Sequence, residues 1–407
     1  MSLIKSIYTA ALLALSPITV SAEEKPIDFV TIGDSGYEGA WYSFFGSWYI
    51  VRAQSWAPSE SGLPVMAPML QRYCKANPCQ FALMLGDNIY PDGVDGVDPK
   101  DDQKRFNNVF IKPFTPLLED NPTFRIFPTL GNHDWRGKRK GAFAQVEFLK
   151  NTPPFDMRGL FYSVKPEGAE GKVEVFVIDT EMLLSTLTVY EDHLNDDGSE
   201  NRDLTDLEEP DEHLKPVTDG EKNQIEWLEA ALKSSTAEWK IVIGHHPLWS
   251  SGSTKFEQSH ALRAAILPTL CRHADAYMAG HEHTMEVHAD TCETAVPKEE
   301  AKPLLHIVSG AFSKSRLINP GFKAYQDRTY PQLQSQYAKG KIPAGETHQY
   351  KQLFGFAHIS LQGDTAMVRI MSHTEDTPAA NIVTPSFQCS FTKDIGFGEG
   401  GCAAQLK

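Results

Sequence analysis

The sequence predicts a layered α/β sandwich, on two observations. One local pattern, an apolar run that stops abruptly at glycine and a polar residue, occurs five times, and helical spacing appears between later occurrences. The 407 residues are 41% apolar, with 29 Gly and 26 Pro, so the chain can bury a substantial core. We read it as one catalytic domain over residues 23–407 with loop insertions.

Residues 1–22 hold Lys5, an apolar run from Ile7 through Ala14 to Val20, and the small-x-small ending Val20-Ser21-Ala22 before Glu23. That is the pattern of an export signal, and it predicts a secreted or periplasmic protein. Ser16-Pro17 interrupts the run, no stop-transfer charges follow, and no later stretch is apolar enough to span a bilayer. Ile27 to Ile32 then reads as a buried strand feeding Gly33-Asp34-Ser35-Gly36. The same grammar takes Phe81 to Leu85 into Gly86-Asp87-Asn88 and Phe124 to Leu130 into Gly131-Asn132-His133-Asp134. It takes Ile241 to Ile243 into Gly244-His245-His246-Pro247, and Ala276 to Ala279 into Gly280-His281-Glu282-His283. Five strands thus deliver polar side chains at their carboxyl ends.

Thr218 to Glu221 fits a capping box, and Ile225, Leu228 and Leu232 follow at helical spacing until Ser234-Ser235. Leu262 to Leu270 is a second helix, with Pro268 expected to bend or end it. Two segments read as insertions: the acidic stretch 181–216, a solvated loop, and the Pro, Gly, Gln and Lys-rich stretch 319–350, a second long loop. Phe354 to Ser360 and Ala366 to Met371, separated by Gln362-Gly363-Asp364, read as a terminal hairpin. Trp135, Trp249 and the aromatic cluster Trp41 to Tyr49 read as packing and pocket walls.

The formal net charge is −15, and −16 once the signal takes Lys5 away (−15 − 1). Such a surface repels anions at long range, which excludes nucleic acid and anionic membrane as general partners. Bound metal would give an anionic substrate the local positive charge it needs. The six cysteines, in an exported chain, favour local pairs by their order: Cys74 with Cys79, Cys271 with Cys292, Cys389 with Cys402. No Asn-x-Ser/Thr acceptor with a permitted middle residue occurs, which favours a bacterial periplasm over a eukaryotic secretory route.

A phosphoester hydrolase needs charge to neutralise a phosphate, a nucleophile available below neutral pH, and a proton for the leaving alcohol. Two adjacent cations supply the first two. Asp34, Asp87, Tyr90, Asn132, His245, His281 and His283 all fall at strand ends or in the first turn after one. With Asp87 shared, Asp34, Tyr90 and His283 on one metal make an anion-rich site, and Asn132, His245 and His281 on the other a mostly neutral one. Carboxylates and a phenolate match a hard trivalent cation; an amide and two imidazoles suit a divalent one. The expectation is iron(III) beside iron(II), zinc or manganese, with a hydroxide nucleophile formed well below water's ordinary pKa.

Each block alone is an ordinary turn or cap sequence. Together and in this order, the five blocks resemble the calcineurin-like metallophosphoesterases and, within them, the purple acid phosphatases, especially the small tartrate-resistant type. The resemblance covers most of the mature chain up to about Ser313. It implies a four-layer α/β/β/α sandwich and an exported acid phosphatase acting on small phosphorylated substrates, phosphate monoesters. It also implies the ligand partition above, with Tyr90 as the phenolate that colours the iron. His133 looks like the family's histidine that contacts phosphate and helps protonate the leaving group.

The chain also departs from the family pattern. Ser35 stands where small acid phosphatases usually carry tryptophan, and His246 where mammalian-type members have tyrosine. The family's further histidine has no counterpart in Trp249-Ser250-Ser251-Gly252-Ser253-Thr254, which leaves His246 and His260 as alternative proton donors. Histidines 193, 213, 273, 288, 306, 348, 358 and 373 receive no role. A phosphodiesterase or nucleotide pyrophosphatase on the same scaffold, and a non-catalytic secreted binding protein, are the competing readings.

Overall fold

A computed structural model describes residues 25–38, 41–44, 47–50, 61–137, 139–185, 193–194, 200–201, 218–250, 256–338, 353–374 and 385–404. The expected export signal, most of the acidic insertion and the end of the second insertion lie outside these residues. Among the described residues no helix is long and apolar enough to cross a membrane.

Trp41–Phe44 with Ser47–Ile50 and His193–Leu194 with Glu200–Asn201 form two small ribbons, and most of the described strands form two seven-stranded sheets. In the first, Ile27–Ile32, Phe81–Leu85 and Arg125–Thr129 run parallel, and Leu353–Gln362 joins Ile27–Ile32 antiparallel. Thr365–Thr374, Pro385–Thr392 and Gly396–Ala404 extend that edge as a meander. In the second, Val173–Val177, Trp239–Ile243, Ala276–Ala279 and Leu304–Ser309 run parallel. Tyr162–Val164, Met285–Asp290 and Leu333–Tyr337 flank them antiparallel.

Parallel strands bury both faces, so they read as continuous apolar runs, and the two-residue period decides which face each side chain joins. Val173, Val175, Val177, Ile241, Ile243, Ala276 and Met278 enter the core shared with the first sheet. Phe176, Val242, Tyr277 and Ala279 point the other way, onto Leu228, Leu232, Leu262, Ile266 and Leu270 of two outer helices. Burying a side chain of this size contributes roughly 1.5–3 kcal/mol. On the first sheet, helix Leu63–Ala76 packs through Tyr73, whose ring meets Phe356 edge-on at 5.4 Å. The two sheets are also joined by hydrogen bonds from Trp239 Nε1 to the Gly363 carbonyl (2.7 Å) and from Ser309 Oγ to the Thr31 carbonyl (3.3 Å). The architecture is the expected layered α/β sandwich.

The five site strands lie where the sequence places them, within two residues at each end. The capping box at Thr218 and Glu221 forms and opens the short helix Asp219–Lys222, followed by Gln224–Ser234. Three expectations are corrected. The helix around Leu262 runs from Phe256 to His273, and Pro268 neither bends it into two elements nor ends it. The first insertion begins as helix, Thr180–Leu184, because Asp179 caps it by accepting from Met182 N (2.9 Å). The second holds helix Pro320–Thr329, capped by Asn319 with proline in its first turn, and the edge strand Leu333–Tyr337. The terminal hairpin is present, but two further strands follow it.

The disulfides are Cys74–Cys79, Cys271–Cys292 and Cys389–Cys402, as their order predicts. Cys389 and Cys402 are direct cross-strand partners, and no described cysteine is free.

Candidate metal centre

The centre lies where the carboxyl ends of the parallel strands of both sheets meet. Three of the polar residues delivered there, Asp34, Asp87 and His281, have positive φ (55°, 52° and 68°). That conformation is strained for residues with a Cβ and persists only where the surroundings enforce it. Backbone bonds enforce it here: Asp34 N donates to Gly86 O (3.1 Å), Gly36 N to Asp87 O (3.2 Å) and Gly280 N to His245 O (3.0 Å). The preceding glycines are required by space as well. A Cβ on Gly86, whose own φ is 85°, would meet His245 Nδ1 at 2.6 Å, and one on Gly131 would meet Asp87 Oδ1 at 2.3 Å.

All seven candidate ligands converge. Tyr90 Oη lies 2.8 Å from Asp34 Oδ1, 2.7 Å from Asp87 Oδ2 and 3.2 Å from His283 Nε2. On the other side, Asn132 Oδ1 lies 3.2 Å from His245 Nε2 and 3.1 Å from His281 Nδ1, and these two nitrogens are 3.1 Å apart. Asp87 straddles both groups, with Oδ2 towards Tyr90 and Oδ1 3.2 Å from His245 Nε2.

The tautomers are fixed from behind. His245 Nδ1 donates to the Leu85 carbonyl (2.8 Å) and His281 Nε2 to Gln258 Oε1 (3.1 Å). Their inward nitrogens therefore present lone pairs beside Asp87 Oδ1 and Asn132 Oδ1. Four acceptors converge on one point, which suits a cation.

The buried groups titrate as one strongly interacting cluster, and a bound cation would displace the protons that Asp34 and His245 hold. Burial, with repulsion from Asp87, pushes the Asp34 carboxyl up to about 8. Burial also opposes ionisation of Asp87, yet His245 and His133 hold it well below the usual carboxylate range. For His245, burial opposes a charge, but Asp87 and Asp34 outweigh it and raise the ring to about 9. Burial, Lys314 and Arg316 keep His283 well below the usual imidazole range, so it is a neutral donor. Burial and the two carboxylates push Tyr90 well above the usual phenol range, so its deprotonation requires a strong counter-charge.

Asp87, His245 and His281 offer donor atoms that all lie within 4.8 Å of one another. The donor set fits two cations: Asp34, Tyr90 and His283 would hold one, Asn132, His245 and His281 the other, and Asp87 both.

Of the three expected proton-transfer residues, one lies beside this cluster with some access to solvent. His133 keeps 16% of its side chain exposed, packs against Tyr90 with ring centroids 4.1 Å apart and the planes tilted by 41°, and holds Nε2 3.9 Å from Asp87 Oδ2. Its Nδ1 bonds the Pro91 carbonyl. Burial, with Arg136 and Lys314 adding to it, lowers this ring to about 4. His246 is fully buried: Nδ1 meets Thr180 Oγ1 at 2.8 Å, Nε2 faces Glu181 Oε2 at 3.4 Å, and the ring lies 4.3 Å from that of His281. It packs behind a candidate ligand, away from solvent.

His260 lines a cavity that none of the candidate ligands lines. Helix Phe256–His273 turns Gln258 to His281 but turns His260 into a separate cavity of about 450 Å³, walled by Trp249, Arg263 and Tyr330. Trp249 is the pocket wall expected of it, with the Arg263 guanidinium 4.0 Å over its ring. Trp135 is core, donating to Asp179 Oδ2 at 2.9 Å.

Several supporting residues escaped the sequence reading. Thr180 Oγ1 accepts from the backbone of both His245 (3.1 Å) and His246 (3.0 Å). His306 Nε2 accepts from Leu248 N (3.0 Å) and Trp249 N (3.3 Å), fixing the exit of the same loop. Asp134 ties two blocks together by accepting from Asn88 N, Ile89 N and Gly131 N at 2.8–3.1 Å. Of these, only Asp134 had a signal, its place inside a block.

The family described as calcineurin-like phosphoesterase matches residues 29–285. Purple acid phosphatase 17 of Arabidopsis thaliana is 29% identical over 236 residues, 58% of this chain and 59% of that protein. Tartrate-resistant acid phosphatase type 5 of Oryctolagus cuniculus is 27% identical over 207 residues, 51% of this chain and 56% of that protein. The chain thus spans between half and two thirds of the length of these relatives. Among solved structures, one described as GAP50, the anchor in the inner membrane complex of Plasmodium, superposes with a TM-score of 0.53 at 15% identity, covering 91% of this chain and 89% of that one. The structure of PhoD gives 0.52 at 13% identity, covering 95% and 72%. At these identities the two structures share the fold alone.

Proposed function

The chain belongs to the calcineurin-like phosphoesterase family, and we propose that it is an exported acid phosphatase of the purple type, hydrolysing phosphate monoesters at a centre of iron(III) and a second divalent metal. The observation that carries this reading is Asp87 shared between an oxygen-rich group, Asp34 and Tyr90 with His283, and an imidazole pair with Asn132. Two cations held there would neutralise the phosphate and lower the pKa of water.

The chain's own residues do the rest. Asp87, bonded by His133 N at 2.9 Å and by Tyr90, is fixed between the two groups. Leu85 O and Gln258 aim the imidazoles, so the centre is organised before substrate arrives. His133, the candidate beside the cluster with access to solvent, faces the site with Nε2 and can accept a proton there; the negative charge of bound phosphate would raise its pKa and ready it to return the proton to the leaving oxygen.

Iron analysis combined with a visible spectrum tests the subtype. We expect iron with a strong phenolate-to-iron absorption that Tyr90→Phe abolishes; a colourless, fully active zinc or manganese protein would rule it out. Turnover of p-nitrophenyl phosphate should exceed that of its bis ester, and the reverse order would assign a phosphodiesterase. Asn132→Ala as active as wild type would make the centre non-catalytic. Sequencing the exported protein should find Glu23 at its amino terminus.

A further inference from the structure

The seven candidate ligands are buried, none more than 8% exposed. Half-buried His133 and Lys314 and exposed Arg136 adjoin them through Tyr90 and His133. The Lys314 ammonium sits 4.3 Å over the Tyr90 ring and 5.2 Å over that of Tyr37. Arg136 Nη1 lies 3.2 and 3.3 Å from the two ring nitrogens of His133, whose ring in turn packs against Tyr90. Two cations therefore flank the Tyr90–His133 pair.

Lys314 is firmly anchored. Ser313 N donates to Asp34 O (3.3 Å), Ser313 Oγ bonds the same carbonyl, Tyr37 N donates to Ser313 Oγ (3.0 Å), and Arg316 N donates to His283 O (2.7 Å). The segment carrying Lys314 is thus tied to two of the loops that deliver candidate ligands.

We infer that Lys314 and Arg136 read the charge of the leaving group, so that the site favours substrates whose leaving group carries a second phosphoryl group over those with a neutral one. The inference rests on the phosphomonoesterase reading above. The chain as a whole, at −15, repels anions, and this pair supplies positive charge locally. The bridged phosphoryl group of such a leaving group keeps one negative charge in acid as at neutral pH and gains more as it departs, which adjacent cations favour and a neutral leaving group cannot use. In the reaction, water oxygen bonds to the terminal phosphorus as the bond to the leaving-group oxygen breaks, and that oxygen takes up a proton. The pair touches none of these atoms and acts through affinity.

The experiment is the ratio of kcat/KM for ADP to that for p-nitrophenyl phosphate in the metal-loaded enzyme. Lys314→Gln and Arg136→Gln should each lower the ratio roughly fivefold, the double variant further, and Lys314→Arg should retain it. Added salt should lower the ratio in wild type and leave it flat in the double variant. A ratio constant within about twofold, or parallel losses on both substrates, overturns the inference. Should wild type turn over neither substrate, the phosphomonoesterase reading fails by itself. Calorimetry then decides this one: the affinity for pyrophosphate relative to inorganic phosphate falls in the double variant if the pair reads charge, and does not if it does not.

Discussion

The two sheets bring different chemistry to one seam. The first delivers Asp34, Asp87, Tyr90 and Asn132, all oxygen donors; the second delivers His245, His281 and His283, all imidazoles. Neither sheet carries a complete set for either of the two proposed cations. His283 from the second sheet meets Tyr90 and Asp34 from the first, and Asn132 from the first meets His245 and His281 from the second. The contacts that set the imidazoles also cross the seam: His245 donates to Leu85 of the first sheet, and His281 N donates to Asp34 Oδ2 at 2.8 Å. The centre is therefore a property of how the sheets pack, and it should fail whenever that packing or its shared residue fails.

The largest effect is expected where the two halves join. Asp87→Asn keeps the shape but removes the shared charge. Turnover should fall by more than about a hundredfold, since losing even an outer-shell partner costs ten- to a hundredfold. Metal analysis should show both ions depleted, and loss of one ion alone would break the shared-aspartate geometry. A smaller, one-sided effect should follow from Gln258→Ala, which frees His281 Nε2 while leaving the oxygen-rich half untouched. Affinity for the second metal should fall roughly tenfold with the first retained, measured by metal titration.

The smallest effect on turnover is expected at Asp179, which follows a second-sheet strand but accepts from Trp135 beyond a first-sheet strand. Burial raises its carboxyl to about 6. The folded state thus holds this proton to higher pH than the unfolded chain, whose aspartates titrate near 3.9. Its contribution to stability is full below about pH 4 and is lost as pH rises through about 6, a change of about 3 kcal/mol. Asp179→Asn should flatten that part of the stability profile in urea unfolding at pH 4.5 and 7; an unchanged slope would mean another group sets it.

Much of this was legible in the chain itself. Apolar runs ending at glycine located five strands because a strand buried on both faces has no other composition to use, and a glycine is demanded where Gly86 turns beside His245. The block order also carried all seven candidate ligands, since strand ends are local features. The Pro320–Thr329 helix and the last two strands were missed because their apolar content is sparse and their order comes from docking on a sheet edge.

Local sequence thus determined which donors exist and which strands carry them. Only the packed structure decided which sheet each donor belongs to, that His246 turns inward to Thr180 while His260 turns away to another cavity, and that Lys314 comes to rest over Tyr90. These are contacts between residues up to two hundred and more positions apart. A side chain's direction there is set by the surface it meets, and that surface forms only when the sheets close.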